Sequence, residues 1–305
     1  MRDTFVRTLI EEAKKNENIE LVTGDLGFGV LKPFWEQLPD RFTNAGIAEQ
    51  NMTSVAAGMA LEGKTVFTYS IGNFPTLRAL EQIRNDCAYH NADVKIVCVG
   101  GGFVYGSLGM SHHATEDIAV MRALPGVAVF CPGDLTEAEA VTRAIINYPG
   151  TCYLRLGRGG EKRIHDGKID FNIGKAIKIE DGSAVAVFST GAIFEEVADA
   201  VEILKQNGIT PSVYTFPTVK PLDRETVENV AASHRFIFTV EEHNVVGGFG
   251  SAVSEVVAEI GGASVVRLGI NDVYASAVGN QKYLRDVYGI SAEKIAARII
   301  EKCKK

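Results

Sequence analysis

The chain has 305 residues, more than one ordinary hydrophobic core absorbs, so two domains are expected. Its formal net charge of −7 argues against a nucleic-acid or anionic-membrane surface as the main business, although a local basic cluster can still receive a phosphate. There is no uncharged apolar run of about 18 residues, no signal-peptide core in MRDTFVRTLIEEAKK, and no CxxC spacing among Cys87, Cys98, Cys131, Cys152 and Cys303, which points to a soluble cytoplasmic chain with reduced thiols.

Residues 4–16 carry Phe5, Val6, Leu9 and Ile10 at helical spacing, with Thr4 as the expected cap. Ile19 to Thr23 reads as a short buried strand that turns at Gly24-Asp25. The stretch 49–63, EQNMTSVAAGMALEG, is a helix rich in alanine and glycine, which lets another element approach closely. There follow a strand (KTVFTYS), a helix (TLRALEQIRNDCAYH), a buried strand (VKIVCVGG), a helix (HATEDIAVMRAL), a strand (GVAVFCPG), a helix (DLTEAEAVTRAIINY) and a last strand (TCYLRLGR). This alternation predicts an α/β fold with a parallel, doubly wound sheet. Ligands of such sheets sit beyond the carboxyl ends of the strands, where Asp25, Tyr69, Gly100–Gly102 and Arg155–Arg158 fall.

The texture changes over 157–174, which is rich in glycine and charge and has no sustained period. The first domain is therefore placed at 1–160, a linker at 161–174, and a second, smaller doubly wound domain at 175–305. Its expected elements are SAVAVFSTG (strand), IFEEVADAVEILKQNG (helix), TPSVYTFPTV (strand), a helix after KPLD, FIFTVEEH (strand), SAVSEVVAEIGG (helix), ASVVRLGI (strand) and SAEKIAARIIEKC (helix).

Glu49 stands where a strand gives way to a small-residue helix. A carboxylate there is commonly a cap or a partner of the helix dipole, and the alternative is a buried carboxyl used in proton transfer. His112 and His113 follow a glycine-rich turn. Adjacent histidines cannot face the same way on a helix, which disfavours a two-histidine metal site; one histidine at the cleft edge suits hydrogen bonding or acid/base work. The glycines around 100–109 have neither dinucleotide nor phosphate-loop spacing. Arg155 and Arg158 are either salt-bridged surface groups or, at the sheet's carboxyl edge, a phosphate contact. Glu241, Glu242 and His243 are read as strand-end groups that fix the glycine turn behind them, or as a subunit contact, in preference to a catalytic set.

The motifs themselves are more specific than their spacings. RFTNAGIAEQNMTSVAAGMALEG resembles the pyrimidine-domain motif of transketolases and deoxyxylulose-phosphate synthases. TGDLG, YSIGNFPTLRALEQIRND, GMSHHATEDIAVMRALPG, LRLGR, TVKPLD and TVEEHNVVGGFGSAVSE resemble further segments of that family in the family's order, over nearly the whole chain. The resemblance implies a thiamine diphosphate enzyme with Mg²⁺, in which Glu49 bonds N1′ of the aminopyrimidine and favours the tautomer whose 4′-nitrogen takes the thiazolium C2 proton. It also implies Asp25 at the cofactor cleft, Phe74 stacked on the pyrimidine with Tyr69 as the second choice, His112 facing substrate, and Arg158 on the substrate phosphate.

No GDG motif of the family's diphosphate-binding domain occurs, so the resemblance implies a separate N-terminal subunit that carries the magnesium ligands, in an α₂β₂ assembly containing a homodimer of this chain. The expected activity is two-carbon ketol transfer from a ketose phosphate to an aldose. The alternatives are a pyruvate-using synthase-like subunit, a 2-oxo-acid dehydrogenase chain of the β type, or a non-catalytic assembly subunit. In GSLGMSH, Ser107 and Leu108 replace the family's acidic pair. Leucine cannot accept a sugar hydroxyl's hydrogen bond, which points to a specialised sugar.

Overall fold

Runs such as Val94–Val99 and Val185–Thr190 are buried along their whole length, as parallel strands covered on both faces must be. In this computed structural model, which describes residues 1–304, the strands of the first half are β1 (Ile19–Thr23), β2 (Phe42–Asn44), β3 (Thr65–Ile71), β4 (Val94–Val99), β5 (Ala128–Phe130) and β6 (Cys152–Leu156). Those of the second half are β7 (Ile177–Glu180), β8 (Val185–Thr190), β9 (Ser212–Thr215), β10 (Thr218–Lys220), β11 (Phe236–Asn244) and β12 (Ser264–Ile270). The first sheet has the order β10-β5-β6-β4-β3-β1-β2 and the second β12-β11-β8-β9-β7; only β10 and β7 run antiparallel to their neighbours.

The connecting helices are α1 (Arg2–Ala13), α2 (Phe28–Gln37), α3 (Glu49–Leu61), α4 (Leu80–Gln82), α5 (Asp117–Ala123) and α6 (Leu135–Ile146). The second half adds α7 (Phe194–Gln206), α8 (Arg224–Ser233), α9 (Phe249–Ile260), α10 (Gln281–Val287) and α11 (Ala292–Lys304). Successive strand residues face opposite sides of the sheet. Phe67, Tyr69, Val97 and Val99 join Phe5, Leu9, Val141 and Ile145 from α1 and α6, whereas Val66, Ile96 and Cys98 join Met52, Ala56, Ile118 and Met121 from α3 and α5. Each fully buried side chain of this size contributes about 1.5–3 kcal/mol, which makes strand parity the strongest determinant of which residues remain free for the site.

Four expectations need correction. Helix α1 begins at Arg2, so Thr4 is a buried first-turn residue and not the cap. The stretch TPSVYTFPTV is two strands in two sheets: β9 stays in the second, and β10 pairs with β5 in the first. Pro217 separates them, because it offers no amide to continue the β9 ladder; its carbonyl instead accepts from the Cys131 amide at 2.8 Å. The expected helix from Thr76 is a coil of turns around the Asn73 carbonyl, then α4, then a π-helical turn over Ile83–Ala88. Helices α2 and α10 are additions to the expected elements. Pro33 inside α2 hides its periodicity, while α10 is short and capped by Asn280, which accepts from the Tyr283 amide at 2.9 Å.

Residues 157–174 contain neither helix nor strand. One apolar cluster nevertheless runs through both halves, joining Ile118 and Val129 to Phe188, Phe216 and Phe249. Among the described residues no helix is long and apolar enough to cross a membrane.

Candidate active site

The carboxyl edge of the first sheet gathers four turns. At the first, Asp25 adopts a left-handed conformation (φ 58°), which aspartate tolerates better than most residues. Its amide donates to Asn44 Oδ1 at 3.0 Å and its carboxylate accepts from Asn44 Nδ2 at 2.9 Å, latching the ends of β1 and β2 together. Asp25 is exposed. The same Asn44 oxygen accepts from the Gly46 amide at 3.0 Å and so shapes the short approach to α3.

Glu49 is the first residue of α3 and only 2% exposed. Its carboxylate accepts a 2.8 Å bond from Nη1 of Arg78, whose side chain is 48% exposed. The Arg78 guanidinium lies over the Phe74 ring, 4.5 Å from its centroid. Phe74 in turn meets the His112 ring edge to face, with centroids 5.2 Å apart. Glu49, Arg78, Phe74 and His112 therefore form one continuous run, drawn from the turns after β2, β3 and β4. Close backbone contact pins two of these turns. Gly72 has φ 55°, and a Cβ there would come within 2.7 Å of the His112 carbonyl oxygen, so only glycine fits. The Gly72 carbonyl accepts from the Cys98 thiol at 3.1 Å, and burial pushes that thiol up to about 12, which keeps it a neutral donor.

The two histidines part company, as adjacent residues on a turn must. His112 stays half-buried on Phe74, with Nδ1 3.1 Å from Ser111 Oγ. His113 is buried edge-on against Phe103, and burial lowers its pKa. Tyr69 is a correction: it is 1% exposed and stacks on Phe5 on the α1 side of the sheet, so its ring has no open face for a ligand. Parity on β3 decides this, since Tyr69 points the same way as Phe67.

The two arginines of LRLGR also separate. Arg158 is exposed over the Tyr105 ring at 5.5 Å, on the turn after β6, and none of its contacts among the described residues reaches the four-residue run. Arg155 is buried. Its Nε donates to Asp117 at 2.8 Å, and its Nη2 donates to the carbonyls of Ala114 at 2.8 Å and Glu242 at 2.9 Å, so the guanidinium is buried and already paired with a carboxylate.

Glu241, Glu242 and His243 act as a clasp. Glu241 accepts from the amides of Phe249 and Gly250 at 2.7 and 2.8 Å, at the start of α9 behind the glycine turn. Glu242 accepts from the Phe103 amide at 2.8 Å and from Arg285 Nη2 at 2.8 Å. His243 Nδ1–H donates to the Asn244 carbonyl at 2.7 Å, and Nε2 accepts from the Ala119 amide at 3.3 Å in α5. Glu241 thus fixes the glycine turn within the second half, while Glu242 and His243 tie that half to the first. Among the described residues, no three His, Cys, Asp or Glu side chains gather as a metal site.

Sequence reasoning missed Arg78. Its partner Glu49 lies 29 residues earlier in the chain, and no local pattern links the two.

Residues 1–160 match the family model of the transketolase pyrimidine binding domain, and residues 174–295 match that of the transketolase C-terminal domain. A Methanocaldococcus jannaschii protein with the provisional name transketolase C-terminal section is 41% identical, across 100% of this chain and 96% of its own. One subunit of the apulose-4-phosphate transketolase of Actinobacillus succinogenes is 34% identical across 97% and 96% of the two chains. A solved structure described as a split gene transketolase, inactive beta4 tetramer, superposes with a TM-score of 0.89 at 34% identity, covering 98% of this chain and 96% of that one. The chain belongs to the transketolase family, in which it corresponds to the C-terminal section of split transketolases.

Proposed function

We propose that this chain is the catalytic C-terminal subunit of a split, thiamine diphosphate-dependent transketolase. It transfers a two-carbon ketol unit from a ketose phosphate to an aldose, and works with an N-terminal subunit that binds the diphosphate and Mg²⁺. The observation that carries the reading is the run Glu49–Arg78–Phe74–His112: a buried carboxylate, a half-buried aromatic ring and a histidine, side by side at the sheet's carboxyl edge. These residues fit an aminopyrimidine. Glu49 is too buried to be a solvated surface acid, and the partner of its carboxylate is a side chain with a partly exposed head.

When bound, thiamine diphosphate supplies an acidic thiazolium carbon and stores electrons during carbon–carbon bond cleavage. In this reading Glu49 holds a proton at the pyrimidine N1′ and Phe74 fixes the plane of the ring. His112, braced on Phe74, presents an imidazole edge to the substrate as a hydrogen-bond donor or acid/base. Arg158, exposed and in no ion pair among the described residues, is the side chain for the substrate phosphate, and Asp25 borders the cofactor cleft. The test is titration of thiamine diphosphate and Mg²⁺ into the chain co-purified with its diphosphate-binding subunit. Uptake by the pair alone supports the reading. Tight Mg²⁺-dependent binding by this chain alone contradicts the division of labour, and no binding in either state contradicts the function.

The donor sugar is a second matter. Leu108, three residues past Tyr105 on the loop that ends at His112, is 54% exposed, and a relative is named for apulose 4-phosphate. An apolar group there offers no acceptor to a donor or acceptor hydroxyl, so turnover of xylulose 5-phosphate with ribose 5-phosphate is expected to be slow. Rapid turnover of that pair in the reconstituted enzyme would sink the specialised-sugar idea while leaving ketol transfer intact.

A further inference from the structure

Arg78 is the member of the run to which the proposed chemistry gives no part. Its guanidinium is planar, cationic and an N–H donor, and it makes two contacts at once: a 2.8 Å bond to Glu49 and a position 4.5 Å over the Phe74 ring. Those are the same two contacts assigned above to an aminopyrimidine, a bond to the Glu49 carboxylate and a flat face on Phe74. A flat ring that stacks on the covered face of Phe74 and reaches Glu49 Oε2 meets the guanidinium at both contacts.

We infer that Arg78 is an internal occupant of the aminopyrimidine subsite, which closes the empty site and must be displaced for the cofactor to enter. The inference rests on the thiamine reading above. Its physical basis is an asymmetry of burial. Left without a partner, the Glu49 carboxylate would be stranded out of water, at a heavy cost. Arg78, by contrast, is 48% exposed on a long flexible stem and rehydrates easily once it swings away. The exchange therefore replaces one flat nitrogen donor by another and never leaves the glutamate bare. It also places a threshold on binding, because an incoming ring has to outcompete both the ion pair and the ring contact.

The measurement is calorimetric titration of thiamine diphosphate with Mg²⁺ into this chain reconstituted with its diphosphate-binding subunit. Arg78→Gln is expected to bind about three- to tenfold tighter than wild type, the worth of one half-exposed ion pair and one cation–π contact. Arg78→Lys keeps the charge without the plane and falls between the two. A residue that merely supports the fold would not behave in this way. Arg78→Gln lowers the melting temperature of the free chain, but the cofactor-saturated complexes of variant and wild type melt together; a purely structural arginine lowers both. If wild type binds and Arg78→Gln binds equally well or more weakly, the inference falls and the thiamine reading stands. If wild type with its partner subunit takes up no cofactor, the thiamine reading falls first and this inference with it.

Discussion

Glu49→Gln in the reconstituted enzyme is expected to lower ketol-transfer activity by about 10²–10⁴-fold, the usual worth of a positioned proton-transfer group. The substitution keeps the shape and a hydrogen-bond acceptor but removes the carboxyl to which the proposed function gives the proton exchange with the pyrimidine. Stability should hardly change. The charge left behind is Arg78, which is 48% exposed and returns to water, so the loss is limited to that of a half-solvated ion pair, at most about 1 kcal/mol. Activity and melting temperature measured on the same preparation separate the two effects. Activity within a few-fold of wild type would show that Glu49 is only a helix-start residue, and would favour a non-catalytic assembly subunit.

The largest expected loss of stability lies elsewhere, at Asp117. This carboxylate is fully buried; it accepts from the Tyr153 hydroxyl at 2.5 Å and from Arg155 Nε at 2.8 Å. Arg155 is itself 5% exposed and spans the carbonyls of Ala114 in the first half and Glu242 in the second. Asp117→Ala strands a buried guanidinium, which costs about 3–5 kcal/mol. Tyr153→Phe removes one hydrogen bond and costs about 1 kcal/mol. Urea unfolding midpoints compare the two. An Asp117→Ala loss no larger than that of Tyr153→Phe would mean that Arg155 finds water or another anion, and that the pair does not brace the joint between the halves.

How far the sequence can be read depends on whether its signals are local. Strands β4 and β8 are mostly apolar runs between breaks, interrupted in β4 by Lys95 and ended in β8 by Ser189-Thr190, and they appear where such runs predict them. The helix following Glu49 is equally legible from its small residues. Tyr69 escapes because nothing local fixes which face of β3 it takes; that depends on Phe5, 64 positions earlier in the chain, filling the space beneath it. Arg78 is invisible for the same reason, as its partner Glu49 lies 29 residues away. Arg155 and Arg158 stand three apart in one motif and look alike in sequence. Only burial distinguishes them, one a brace and the other an exposed cation. Pro217 does carry a local signal, since a residue without an amide in the middle of an expected strand argues for a break there.

The exchange of β10 into the first sheet has a consequence for biosynthesis. Until Thr218–Lys220 has emerged from the ribosome, β5 presents an unpaired edge, although all of β1 to β6 has already been made. The nascent first half is thus an open template for about 60 residues of further synthesis, the interval in which a bare strand edge invites pairing with another chain. Closing that edge with a strand from the second half makes completion of the first sheet a signal that the rest of the chain has arrived.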